Sequence, residues 1–194
     1  MNFLAHLHIA DHCQSSLLGN LLGDFVKGDP SKLYNSDVSQ GIRLHRFVDS
    51  YTDNHAIIKL CKQRFDPDLK RFAPIAMDMF WDHCLAKRWH DYHHQTLQEF
   101  VDSAEAKITS TEEVLPERFI NMTSHMWQGR WLESYSELEN IQYALERMSL
   151  RSMRMTPLAD CGVQLEQNYQ EFSDFFAELY PEVLEQAIKI GKIF

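Results

Sequence analysis

The chain has little of what a β-rich, disulfide-stapled or membrane-spanning protein needs. Seven glycines and six prolines among 194 residues supply few tight turns, which argues against a many-stranded sheet. No apolar run approaches the ~18 residues of a membrane span. The opening Met1-Asn2-Phe3-Leu4-Ala5-His6 lacks a basic leader region, so no signal peptide is expected. Cys13, Cys61, Cys84 and Cys161 lie far apart and form no CxxC. That fits reduced, mostly buried thiols in a cytosolic protein, with neither a disulfide framework nor a zinc ribbon. Positive charge is also short. A formal net charge of −9 at pH 7 excludes a general nucleic-acid binder from the expectation. There is no Walker loop, dinucleotide fingerprint, nucleophile elbow or HExxH.

What is present reads as helix almost throughout. A hydrophobic fraction of 44% and an aromatic fraction of 12% argue for a sizeable core, and the length suits one domain over 1–194. Helical spacing and capping residues predict a short helix over 2–10 and a second, capped by Ser15 or Ser16, through Val26. Gly28-Asp29-Pro30 ends that helix with turn chemistry. Ser36 or Asp37 opens a longer helix to about Arg64, with a possible interruption near Asp53-Asn54. Pro74 opens a segment to about Tyr92, Thr96 one to about Ser110, and Pro116 one to about Trp127. A further helix spans Glu137 to Met153. Pro157 starts a long one through Leu179, which Pro181 is expected to interrupt. The expectation is a single all-α bundle of seven to nine helices.

Acids and histidines recur a turn apart inside these apolar segments. His45, Asp49 and Asp53 share one helix face, and Asp78 and Asp82 share another. Ionised carboxylates among Ile75, Met77, Met79, Phe80, Trp81 and Leu85 are costly unless something positive pairs with them. A divalent metal is one candidate and Arg46 another. Asp24 follows Leu17, Leu18, Leu21 and Leu22 near a helix C-terminus, where negative charge is unfavourable. Either a bound cation or an arginine would answer that. Gly19 and Gly23, four apart, allow a close approach to the same helix face. Of His6 and His8, at most one looks inward, and His6 shares its side with Phe3 and Leu7. His90-Asp91 is a literal His-Asp pair at a polar helix end, with solvated neighbours, and is read as incidental.

Charge is unevenly distributed along the chain. Between Arg43 and Arg71 seven basic residues face four acids, whereas Asp160 to the end carries seven acids and two lysines. The basic portion, including Lys62, Arg64, Lys70 and Arg71, could steer an acidic partner; an ordinary solvated helix face explains it equally well.

The opening Met-Asn-Phe-Leu-Ala-His-Leu-His, Gly-Asn-Leu-Leu-Gly-Asp-Phe-Val-Lys-Gly at 19–28 and Gly41-Ile42-Arg43-Leu44-His45-Arg46 with Asp49 resemble the bacterial acyl carrier protein phosphodiesterases. So do Thr52-Asp53-Asn54, Asp78-Met79-Phe80-Trp81-Asp82-His83 and Arg118-Phe119-Ile120-Asn121. The resemblance spans nearly the whole chain. It implies a divergent HD-type metallohydrolase that removes the 4′-phosphopantetheine arm from holo-acyl carrier protein with Mn²⁺ or Mg²⁺. Arg46 stands after His45 where an ordinary HD enzyme has Asp. With that family in view, the expected metal ligands are Asp24, His45, Asp49, Asp78 and Asp82, with His6 as a possible addition. Arg46 is expected to hold a non-bridging oxygen, and His83 to protonate the leaving serine oxygen. Lys62, Arg64, Lys70 and Arg71 are expected to dock the acidic carrier, with Arg147, Arg151 and Arg154 as a possible extension. The competing expectations are an HD-type nucleotide phosphohydrolase, acting on a substrate such as guanosine tetraphosphate, and a helical binding module without catalysis.

Overall fold

A computed structural model describes residues 1–193, and among these every regular element is helical. In chain order the α-helices are α1 (Phe3–His12), α2 (Leu17–Leu22), α3 (Ser36–Asn54), α4 (Ala56–Arg64), α5 (Ala73–Lys87), α6 (Leu97–Thr109), α7 (Glu117–Gln128), α8 (Trp131–Ser134), α9 (Leu138–Ser149), α10 (Cys161–Gln167) and α11 (Tyr169–Gly191). The fold is all-α, as the spacing predicts. The count exceeds seven to nine because the short α8 and α10 carry too few residues to show a periodicity of their own. The expected long helix to Arg64 divides at His55, beside the interruption expected near Asp53-Asn54. His55 is extended (ψ 146°), and its ring nitrogen accepts from Ile57 N–H to cap α4.

Caps fall where the chain offers oxygen acceptors. Ser16 caps α2 through Gly19 N–H, Asn35 caps α3 through Val38 N–H, and Thr96 with Glu99 completes a capping box on α6. Several expected boundaries move, the largest being that the long helix expected from Pro157 through Leu179 is a 3-10 turn over Met153–Leu158 and then α10 and α11, parted at Asn168. The second helix stops at Leu22 instead of Val26, and Pro181 does not interrupt α11. Tyr180, Val183 and Ala187 are all buried around that proline, and their packing outweighs the lost backbone hydrogen bond.

The first helix, buried from Leu4 to Ala10, packs against α2, α3, α5 and α11. Helix α5 is buried nearly all round, from Ala73 to Ala86. Helices α2 and α3 cross closely at two glycines. A Cβ on Gly19 would meet Val38 O at 2.4 Å and Gly41 Cα at 2.8 Å. Only hydrogen at those positions lets the backbones approach that far. This crossing lays the end of α2 beside the middle of α3, and it sets the position of the site.

Candidate metal centre

His45 and Asp49 project from consecutive turns of α3, and His6 meets them from α1. His6 Nε2 lies 2.9 Å from Asp49 Oδ1, and His45 Nε2 lies 2.9 Å from Asp49 Oδ2. One carboxylate therefore serves two imidazoles, whose rings stack with centroids 3.8 Å apart. Asp24, just past the end of α2, brings Oδ1 to 3.4 Å from His45 Nε2. Gly23 makes that approach possible, because the His45 ring occupies the space a Cβ would fill. The donor atoms of His6, His45 and Asp49 all lie within 4.8 Å of one another.

Several buried nitrogens in this group have no hydrogen-bond partner. They are His6 Nδ1 and both ring nitrogens of His45. For His45 Nε2 the carboxylate oxygens are near in distance but off the line of an N–H bond. Buried polar atoms are ordinarily satisfied, so His45 Nε2, set between two carboxylates but aligned to neither, fits a ligand of a shared cation. Two imidazoles with carboxylates and no thiolate suit a first-row or hard divalent ion.

The electrostatics point the same way. Burial disfavours charge on His45, yet Asp24 and Asp49 outweigh it and raise its pKa to about 9. Burial also pushes the Asp49 carboxyl up, but His45 and His6 more than reverse that and hold it far below the usual carboxylate range. His6 falls to about 4, through burial and then through the neighbouring His45 charge. Asp24 is lowered chiefly by its contact with His45. Asp24 and Asp49 thus favour positive charge at the position between them.

The other expected residues sit in different surroundings. Asp78 Oδ1 accepts from the Met1 ammonium at 2.7 Å, and that ammonium also stands 3.6 Å from Asp49 Oδ1. Asp82 is fully buried, and its two oxygens accept from Leu4 N–H at 2.8 Å and Ala5 N–H at 2.9 Å. It works as the N-terminal cap of α1, supplied from α5. His83 Nδ1 donates to Tyr135 O at 2.8 Å and Nε2 pairs with Tyr169 OH at 2.9 Å, which occupies both nitrogens. Arg46 donates to Gly28 O and Val26 O. Asp53 is exposed beyond the stripe, and Asp91 pairs with Arg88 at the surface. Two surface grooves, of about 470 and 420 Å³, lie elsewhere, along α6, and none of the clustered donors lines them. Sequence spacing alone paired His45 with Asp49. It left His6 as an addition, because nothing local shows which helix α1 faces.

An all-helical protein with a buried imidazole–carboxylate centre, built where α1, α2 and α3 meet, is the class that fold and site define. The chain belongs to the acyl carrier protein phosphodiesterase family, whose profile matches residues 1–183. It is 42% identical over 188 residues to the acyl carrier protein phosphodiesterase of Pectobacterium atrosepticum, covering 96% of this chain and 97% of that one. It is 41% identical over the same length to that of Serratia proteamaculans and 40% to that of Yersinia pestis, with the same coverage in each case. No solved structure matches the chain. No described helix is long and apolar enough to cross a membrane.

Proposed function

We propose that this protein hydrolyses the phosphodiester between 4′-phosphopantetheine and the serine of holo-acyl carrier protein, using a divalent cation held at the His6–His45–Asp49 cluster with Asp24. The observation that carries the metal reading is the convergence of His6, His45 and Asp49, with the buried His45 Nε2 left without a hydrogen bond between two carboxylates; family membership carries the substrate. In the reaction a water oxygen bonds to phosphorus, the bond from phosphorus to the serine oxygen breaks, and the serine oxygen takes up a proton. A cation of the Mn²⁺ or Mg²⁺ type would supply positive charge to the phosphoryl oxygens and make water more acidic.

The chain's own part is to hold the donors. Asp49 orients both imidazoles, and Asp24, exposed at the rim, leaves the cluster open on one side. Asp78, behind the Met1 ammonium, borders the same group. The acidic carrier is received on the basic portion around Lys62, Arg64, Lys70 and Arg71, with Arg147, Arg151 and Arg154 as an extension. All of these except half-buried Lys62 are exposed.

Mass spectrometry of holo-carrier incubated with the protein and Mn²⁺ tests the reading. The expected products are apo-carrier and 4′-phosphopantetheine, lost on chelation and restored by Mn²⁺ or Mg²⁺. Full turnover in a verified metal-free sample would remove the cation from the reading. Hydrolysis of guanosine tetraphosphate with the carrier untouched would replace the substrate.

A further inference from the structure

The Asp24 carboxylate comes from a turn, while His45 and Asp49 come from a regular helix. The turn runs from Gly23 to Asp29 after α2, a helix of six residues. The Asp24 side chain is 63% exposed, and the partner that holds it is His45 Nε2 at 3.4 Å. Phe25 N–H and Val26 N–H donate to Leu22 O at 2.9 and 3.1 Å and Val26 is buried, which fixes the start of the turn. Its far end, Lys27 to Asp29, is exposed and needs another hold.

Arg46 follows His45 on α3, and its side chain leaves the helix toward the turn. Nη1 donates to Gly28 O at 2.7 Å, and Nη2 donates to Val26 O at 2.6 Å. Gly28 has φ +76°, and a Cβ there would meet nothing within 4 Å. The glycine therefore serves the backbone angle that turns its carbonyl inward. One helical turn earlier, Arg43 Nη2 reaches Asp29 Oδ1 at 3.2 Å. A planar guanidinium can serve two carbonyls at once, which a single ammonium cannot do in the same geometry.

We propose that Arg46 is a positioning residue for the cation site, clamping the 23–28 turn to α3 so that Asp24 is delivered to His45 and Asp49. Helix α3 then fixes three of the four donors, two directly and Asp24 through the arginine, while His6 comes from α1. The proposal rests on the reading that this cluster binds a divalent cation, and it differs from a role for Arg46 on the substrate's phosphoryl oxygens.

Free Mn²⁺, followed by electron paramagnetic resonance, gives the metal affinity without any turnover. Arg46→Ala should raise the Kd for Mn²⁺ by roughly ten- to a hundredfold, the usual cost of losing an outer support of a metal site. Arg46→Lys should fall between. Amide exchange over 23–29 should quicken in Arg46→Ala while far-ultraviolet circular dichroism stays unchanged. Because Arg46 acts through Asp24, adding Arg46→Ala to Asp24→Ala should weaken Mn²⁺ binding little further. Additive losses in that double variant would overturn the proposal. So would an unchanged Kd with a raised KM for carrier at saturating metal, which places Arg46 on the phosphate. Wild-type protein that binds no Mn²⁺ would sink the metal reading, and the proposal with it. Exchange over 23–29 would then still report whether the turn is clamped.

Discussion

A Cβ on Gly23 would stand 2.0 Å from His45 Cδ2 and 2.1 Å from Cγ, far inside contact distance. Gly23→Ala must therefore push the imidazole off Asp49 or shift the turn that carries Asp24. The expected outcome is a loss of Mn²⁺ affinity and kcat of roughly ten- to a hundredfold, with helix content unchanged by circular dichroism. A wild-type Kd in Gly23→Ala would mean that His45 is not held there. His83 makes a prediction of a different kind. Burial lowers its pKa below the ordinary 6.5, so the folded state favours the neutral ring. Its contribution to stability is fully present above the unfolded value and is lost as pH falls through the lower folded one. Thermal unfolding of the metal-free protein between about pH 7.5 and 5 should show stability falling on acidification. His83→Gln should flatten that slope, and an unchanged slope would count against a buried neutral His83.

At the scale of elements, α1 depends on α5 for its first turn. Asn2 makes no side-chain cap of its own, and Asp82 fills that place from 77 and 78 residues away. Burial raises the Asp82 pKa to about 7, against the lowering effect of the two N–H donors. Asp82→Asn keeps the shape but turns an NH₂ toward one of those donors. It should cost about 1–3 kcal/mol, the range for an unsatisfied buried group, and lower Tm by several degrees. Mn²⁺ affinity should change little. A large rise in Kd with an unchanged Tm would instead make Asp82 a ligand. The sequence shows Asp82 as a carboxylate in an apolar helix that needs a positive partner. Two helix-terminal N–H groups meet that need, and their position follows from how α1 lies on α5, which no spacing within α5 encodes.

For the whole molecule, a net charge of −9 opposes an acidic partner, so docking depends on local positive charge. The basic residues between Arg43 and Arg71 are not equally free. Arg64 is held in a two-pronged pair by Glu171, with Nε at 2.7 Å and Nη2 at 2.6 Å, and Arg43 and Arg46 are turned to the 23–29 segment. Lys70 and Arg71 are exposed ahead of α5, with Arg71 lying over the Phe72 ring at 4.5 Å. Reversing Lys70 and Arg71 to Glu should raise KM for carrier more than reversing Lys62 and Arg64, while a small phosphodiester substrate is spared. Rising salt should shrink the difference, since the Debye length is ~8 Å at physiological strength. If both pairs keep a wild-type KM at low salt, the carrier docks elsewhere.

The sequence by itself determined that the chain is helical, where most helices start, and that His45 and Asp49 face the same way. Those features are local, set by a 3.6-residue period and by caps such as Ser16, Asn35 and Thr96 beside the groups they satisfy. Tertiary structure decided which polar residues meet. His6 reaches Asp49 across 43 positions, Asp24 reaches His45 through a glycine crossing, and Asp82 and His83 turn to backbone and tyrosine instead. The physical reason is that a buried charge or imidazole can be satisfied in several ways of similar energy. The packing of α1 between α2, α3 and α5 selects among them.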